Sequence, residues 1–317
     1  MSVQARYHEP VMVDTVLHFL QPQDRGRYVD ATVGTGGHAR AILDASAPSG
    51  QLLGLDLDPQ ALALARERLA SYGDRVTLVR SSYTHLTDVL RAQGWLTSGV
   101  DGVLADLGLS SLQLDTPERG FSFREDGPLD MRFDPEGDGP TAADLVNTLP
   151  EKALADLLWR YGEERRARAI ARAIVRHRPI HTTHELAQIV ARVTRGAPGR
   201  HPATRTFQAL RIAVNRELEN LERFLPQALD ALRPGGRLVI IAFHSLEDRI
   251  VKHTFRAWAR GCECPPPPLP CDCADAHPRV RILKPFPAWP SDDEVARNPR
   301  ARSARVRAVE KLAPEEA

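Results

Sequence analysis

The feature that most constrains this chain is the alternation of strand and helix patterns along its first 110 residues. Short apolar-centred runs at 27–31, 51–57, 75–79 and 100–107 end in turn residues and read as strands. Stretches at 36–47, 59–72 and 84–93 lie between them and read as helices. Pro48 and Gly50 stop the first helix, and Pro59 sits in the first turn of the second. Strands separated by helices of about 10–15 residues predict a parallel sheet built from βαβ units.

The alternation then stops. Residues 110–150 are rich in Gly, Pro and Asp and read as loop. Residues 151–222 read as helical, with breaks near Arg178-Pro179 and at 196–202. A strand pattern returns at 237–243, a helix follows at 246–260, and strand-like runs occupy 279–283 and 304–309. The economical expectation is one α/β domain, residues 1–110 and 217–317, interrupted after its fourth strand by a loop and α-helical insertion, residues 111–216. No internal repeat is visible, and the tail after Leu312 is expected to fray.

The apolar fraction of 42% supports a substantial core, and 26% charged residues suit a soluble globular protein. No stretch is long and apolar enough to suggest a membrane span, so no membrane partner is expected. The first ten residues carry charges and no apolar run, so no signal peptide is read and a cytoplasmic location is expected. Net charge is only +1, yet its distribution is uneven. Residues 152–216 hold 14 Lys or Arg against 4 Asp or Glu. An excess of ten positive charges inside a near-neutral chain is an electrostatic footprint suited to nucleic acid. Lysine occurs only at Lys152, Lys252, Lys284 and Lys311, so arginine supplies the other 38 of 42 basic residues. Genome composition explains such a bias as well as phosphate binding does.

The first strand runs into a glycine turn, Asp30-Ala-Thr-Val-Gly34-Thr-Gly36-Gly37-His38. Glycines let the backbone turn sharply and approach a ligand closely, and the helix that follows points free N–H groups at it. The dinucleotide pattern G-x-G-x-x-G is not met. An acidic residue four positions before G-x-G is met, which is the form of the first motif of class I methyltransferases. Asp56 ends the second strand, placed to accept both hydroxyl hydrogens of a ribose. Asp58 suits the cap of the next helix better than Asp56 does. Ser81, Ser82 and Tyr83 follow the third strand and could contact an adenine. Asp106 follows the fourth, at the edge where such sheets bind ligands.

Longer blocks carry a closer resemblance. They are HEPVM at 8–12, DATVGTGGH at 30–38, DLGLSS at 106–111, QLD at 113–115, ERGFSF at 118–123 and GPLDMR at 127–132. YGEER at 161–165, HPATRTF at 201–207, FHSLEDR at 243–249 and NPRARS at 298–303 complete the set. In this order the chain resembles the MraW, or RsmH, family of ribosomal small-subunit RNA methyltransferases. The resemblance implies a class I, Rossmann-like, S-adenosylmethionine-dependent fold with an inserted helical domain. It implies methylation of a cytosine N4 in the decoding centre of 16S rRNA, within a largely assembled small subunit. Family cofactor contacts carry over to Gly36, Gly37, His38, Asp56, Tyr83, Asp106 and Gln113, and Gly34 joins them from the turn itself. Arg165, Arg205, Arg211 and His244 are candidates for RNA contact. Oligomeric state is left open, a homodimer included.

A cytosine amino nitrogen is a weak nucleophile because its lone pair is delocalised into the ring. An acceptor for its N–H would turn that lone pair toward the methyl group. Asp106 is the candidate catalytic residue, with Ser110 and Ser111 as secondary partners. Holding the cofactor's amine is the competing role for Asp106. Many amino-methyltransferases place two prolines and an aromatic after this acid, whereas Leu107-Gly108-Leu109 stand here. What stacks on the base is therefore open between Phe121, Phe123 and neither, both being equally suited to packing.

Other chemistries fit less well. Ring-carbon methylation needs a cysteine nucleophile, and all four cysteines, Cys262, Cys264, Cys271 and Cys273, lie in one proline-rich stretch. Four thiolates would suit zinc, but C-x-C pairs are less typical than C-x-x-C and the chemistry needs no metal, so none is assigned. Ribose methylation commonly uses a lysine, and none precedes Lys152. His244, Ser245 and Asp248 lack the glycines of a hydrolase elbow; at the end of the fifth strand substrate contact is the better reading, and capping by Ser245 with Asp248 is compatible with it. A non-catalytic RNA scaffold should have lost the glycines or Asp56. A protein or small-molecule methyltransferase would have no use for the basic insertion.

Overall fold

The computed structural model describes residues 9–194, 201–261 and 277–313. The chain divides into two compact units, residues 1–108 with 219–317, and residues 109–218.

The first unit is built on a seven-stranded sheet of order β3-β2-β1-β4-β5-β7-β6. Its strands are β1 (Arg27–Asp30), β2 (Gln51–Asp56), β3 (Val76–Arg80), β4 (Val100–Asp106), β5 (Leu232–Ala242), β6 (Val280–Ile282) and β7 (Arg305–Lys311). The first five pair in parallel, as the alternating pattern predicts. β7 enters between β5 and β6 and runs antiparallel to both. This is the sheet of a class I, Rossmann-like methyltransferase fold. β5 begins five residues before its predicted start, because Leu232 already pairs with Val100 across an irregularity that ends at Arg237.

Alternate residues of the central strands feed two cores. Val29, Leu53, Leu55, Val103, Ala105 and Ile240 point to one face. There they meet α4 (Leu86–Ala92), the part of α11 (Glu217–Ala231) after residue 218, and α12 (Ser245–Arg260). Tyr28, Leu52, Leu104, Val239 and Ile241 point to the other. That face is covered by α1 (Val13–Leu20), α2 (Gly37–Ala45) and α3 (Pro59–Leu69). With both faces covered, the strands have no solvent side, which is why they read as nearly continuous apolar runs. A short α13 (Asp292–Arg297) lies between β6 and β7 in the chain.

The second unit is helical: α5 (Ser111–Asp115), α6 (Ala142–Thr148), α7 (Glu151–Gly162), α8 (Ala167–Arg176), α9 (Thr183–Val193) and α10 (Thr204–Asn215). Its core gathers Leu154, Leu158, Ile170, Ile174, Leu186, Val190, Phe207 and Leu210. A Cβ on Gly162 would lie 2.7 Å from the Arg205 carbonyl, so glycine is what lets α7 approach α10. The stretch expected to be loop contains α5 and α6. Each is capped by its own box, Ser110 with Gln113 and Thr141 with Asp144. Among the described residues, no helix is long and apolar enough to cross a membrane.

Candidate active site

The strand order of the first unit reverses between β1 and β4, and their carboxyl ends flank the switch point where open α/β sheets hold ligands. Asp30, Asp56 and Asp106 end β1, β2 and β4. The turn after β1 closes by a hydrogen bond from Gly36 N to Val33 O, 2.8 Å. Gly34 and Gly36 both take positive φ, 50° and 82°, which explains two of the glycines. Gly37 is needed for another reason, since a Cβ there would lie 3.0 Å from the Pro10 ring. The N-terminus of α2, with Gly36 as its cap residue, has no side-chain cap, and its first N–H groups have no acceptor within the helix.

Asp56 is fixed by two backbone donors. Gly34 N donates to Oδ2 at 2.8 Å and Asp58 N to Oδ1 at 2.9 Å. Each oxygen keeps acceptor capacity for a ribose hydroxyl. Asp58 caps α3 by accepting from Gln60 N and Ala61 N, which leaves Asp56 out of that duty. Burial pushes the Asp56 carboxyl up to about 6. It pushes Asp30 up to about 7, against the lowering influence of His38 and the Thr32 N–H. Asp106 is raised too, first by burial and also by the charge of Glu247, while His38 and the Gly108 N–H pull it down. Three carboxylates that resist ionisation have thus been collected at one sheet edge. A ligand with positive charge would relieve all three.

His38 is nearly buried and held by a brace. Its Nε2 lies 2.8 Å from Val11 O, so Nε2 carries a proton. Its Nδ1 then faces Asp106 Oδ2 at 3.8 Å. Asn298 Nδ2 donates to Glu9 O at 3.2 Å and ties down the chain just before Val11. Two sequence blocks, at 8–12 and 298–303, therefore serve the orientation of one imidazole. Asp106 is positioned by its own N–H, which donates to Thr32 Oγ1 at 2.7 Å, and its Oδ1 accepts from Gly108 N at 3.2 Å. A Cβ on Gly108 would lie 2.6 Å from the Phe243 ring, so the missing side chain makes room for an aromatic delivered by the end of β5. Tyr83 sits in a 3-10 turn and packs edge-on against Phe224, ring centroids 5.0 Å apart, half-buried at the end of β3.

Other sequence candidates have structural duties. Ser110 and Gln113 cap α5 reciprocally: Ser110 Oγ accepts from Gln113 N, and Gln113 Oε1 from Ser110 N at 3.0 Å. Ser111 is the first residue of α5. All three belong to the helical unit. Phe121 stacks on Phe133, and Phe123 packs against His201 and Phe207, so both are packing anchors. Arg211 is committed to a bidentate ion pair with Glu217, both bonds 2.7 Å, with side chains 13% and 6% exposed. Arg205 donates to Glu163 O at 3.1 Å, whereas Arg165 is exposed. The cap of α12 is a correction. His244, not Ser245, is the cap residue, and Glu247, not Asp248, completes the box. His244 Nε2 lies 2.9 Å from Glu247 Oε1 but at an angle that makes no hydrogen bond. Burial alone would raise Asp248, but hydrogen bonds and charge from Arg307, with Arg305, hold it below its ordinary value. A hydrolase arrangement of His244, Ser245 and Asp248 is therefore absent. The cysteines at 262, 264, 271 and 273 lie outside the described residues.

Sequence reasoning passed over Glu247, and it read Asp30 as the acid of the glycine-turn motif without assigning it a contact. The signal for Glu247 was its place three residues after a strand-end polar residue.

The edge suits a nucleoside that carries positive charge: acceptors for a diol, free N–H groups, and carboxylates short of cations. Comparison with known proteins agrees in kind. Residues 5–312 match the MraW methylase family. "Ribosomal RNA small subunit methyltransferase H" of Thermomicrobium roseum is 56% identical over 310 residues, covering 96% of this chain and 94% of that protein. The protein of the same name from Geobacter sulfurreducens is 55% identical over 311 residues, covering 96% and 99%. A solved rRNA methylase from Streptococcus thermophilus is 12% identical with a TM-score of 0.41, covering 95% and 94%. With identity above half over almost all of both sequences, the chain belongs to the MraW methylase family.

Proposed function

We propose that this protein transfers a methyl group from S-adenosylmethionine to the exocyclic N4 of a cytosine in the decoding centre of 16S rRNA, within the small ribosomal subunit. The observation that carries the cofactor half is the trio of strand-end carboxylates, buried Asp30 with half-buried Asp56 and Asp106, beside the Gly34–Gly36 turn. The names of relatives more than half identical support rRNA as the substrate. The cytosine N4 rests on the sequence blocks and on Asp106.

The cofactor, when bound, supplies a methyl group on a positively charged sulfur. Asp56 would receive the ribose hydroxyls, and Tyr83 would flank the adenine. Burial gives Asp106 a raised affinity for a proton, and its Oδ2 is not occupied by the Gly108 N–H. That oxygen is suited to accept the N–H of the target amine and orient its lone pair. It can also take the proton released once nitrogen has gained the methyl group. Gly34, Gly36, Gly37 and His38 shape the turn and brace Asp106. Ser110, Ser111 and Gln113 are the candidates that the helical unit carries. Exposed Arg165 is the clearest of the arginine candidates for RNA contact, ahead of Arg205, while Arg211 and His244 serve chiefly to hold their own segments.

The test is transfer of tritiated methyl groups to small subunits from cells that lack the enzyme, followed by nucleoside analysis. The reading expects label in N4-methylated cytidine. Label in another nucleoside, or in protein, would overturn it.

A further inference from the structure

The helix α8, Ala-Arg-Ala-Ile-Ala-Arg-Ala-Ile-Val-Arg, breaks two rules of helix making in the same direction. Its arginines stand at 168, 172 and 176, a spacing of four that aligns them along one side. Like charges at that spacing repel and weaken a helix. The first turn contains no acidic residue, although the positive end of the helix dipole favours one, and Arg168 stands there instead. The opposite side is buried through Ala167, Ile170, Ala171 and Ile174. All three arginines are exposed, as are Arg165 and Arg166 just before the helix. No carboxylate occurs within α8 to compensate them. Arg172 touches Glu151 Oε1 at 3.4 Å, an exposed contact of little strength.

A segment that gives up helix stability for exposed positive charge, twice and in register, points to a ligand rather than to folding. Four residues of helix advance about 6 Å, a step comparable to that between successive phosphates on an RNA strand. Arginine adds a planar fork that fits a phosphate with two bonds.

From this we infer that the exposed side of α8, Arg168, Arg172 and Arg176 with Arg165 leading into it, is a ladder that grips consecutive phosphates of the substrate RNA. This inference rests on the rRNA reading above, and it moves the main phosphate contact away from Arg205 and Arg211. The ladder carries affinity and not base recognition, because it meets only the repeating backbone.

The test uses the full chain and small subunits lacking the methyl mark. In the variant R168A/R172A/R176A, affinity should fall roughly ten- to a hundredfold near 0.1 M salt. The log–log salt slope should flatten by about 2, since each single-strand phosphate contact contributes about 0.7. S-Adenosylmethionine affinity should not change. Alanine is a strong helix former, so the variant should fold. The triple lysine variant should keep most of the slope while losing part of the affinity. Wild-type methylation of subunits together with an unaltered slope and affinity in the triple alanine variant would overturn the ladder and leave the rRNA reading standing. A wild-type protein that neither binds nor methylates subunits would overturn both. Loss of binding to vesicles of anionic lipid, with subunit binding intact, would also overturn the ladder.

Discussion

The carboxyl edge of the sheet and the exposed side of α8 handle charge in opposite ways. At the sheet edge, Asp30 is buried and Asp56 and Asp106 half-buried, all three with a raised affinity for a proton, supported by backbone donors and one histidine. On α8, Arg168, Arg172 and Arg176 are basic and exposed, supported by little. Both arrangements cost stability in the free protein. The buried acids oppose their own ionisation, and the arginines oppose one another. Each is understandable as one half of a complementary pair. A small cation that must be held in one pose calls for few, buried, oriented acceptors. A long polyanion that need only be held calls for exposed, repeated, mobile cations.

The largest expected effect lies at Asp106. Replacing it with Asn keeps the shape and one acceptor and removes the charge. Turnover should fall on the order of 10²- to 10³-fold, the range typical of a lost acid–base or electrostatic group. If the role is orientation of the target amine, cofactor affinity should change little. If Asp106 holds the cofactor's ammonium, affinity should fall first. Single-turnover kinetics beside calorimetry separate the two, and full activity with normal affinity would remove Asp106 from the chemistry.

Next in size is Arg211, which distinguishes a structural arginine from a recruiting one. Its bidentate pair with Glu217 is buried. Arg211→Ala should lower unfolding free energy by about 3 kcal/mol, measured by denaturant titration. Arg165→Ala, at an exposed site, should change stability by less than about 0.5 kcal/mol and act instead on subunit binding. Equal stability of the two variants would erase that distinction.

A graded effect should appear in the pH dependence of the cofactor-free protein. The Asp30 carboxyl is near its ordinary value of about 4 when unfolded and is pushed up to about 7 when folded. Between these values the folded state binds more protons, so stability should fall as pH rises through the window and level off above it. Asp56, raised to about 6, adds to the same trend. Asp30→Asn should reduce the slope without abolishing it. An unchanged slope in thermal melts from pH 5 to 8 would mean that Asp30 is ionised in the fold already.

The four parallel strands at 27–107 were readable because strands covered on both faces show as apolar runs between helices. The insertion after β4 was visible as the loss of that alternation. The short helices were not. α5 and α6 have five and seven residues and sit among Gly, Pro and Asp, so their caps rather than their periodicity mark them. α1 follows a left-handed Met12 that no composition rule would place there. Residue type picked out the strand-end acids and the glycines of the first turn. It could not show that Arg211 is engaged, because an arginine on phosphate and one in an internal pair look alike until a carboxylate six residues away is seen to meet it. The roles of His244 and Glu247 were hidden for the same reason, since histidine is a rare cap.

The most direct test of the account is the affinity of S-adenosylmethionine for Asp56→Ala, measured by calorimetry on protein shown to be folded. Asp56 is held by Gly34 N and Asp58 N with acceptor capacity to spare, so it should receive the ribose hydroxyls. The predicted loss is about 1–3 kcal/mol, the cost of a hydrogen bond to a charged group, or roughly a 5- to 150-fold weaker affinity. Unchanged affinity in the folded variant would contradict placement of the cofactor at this edge.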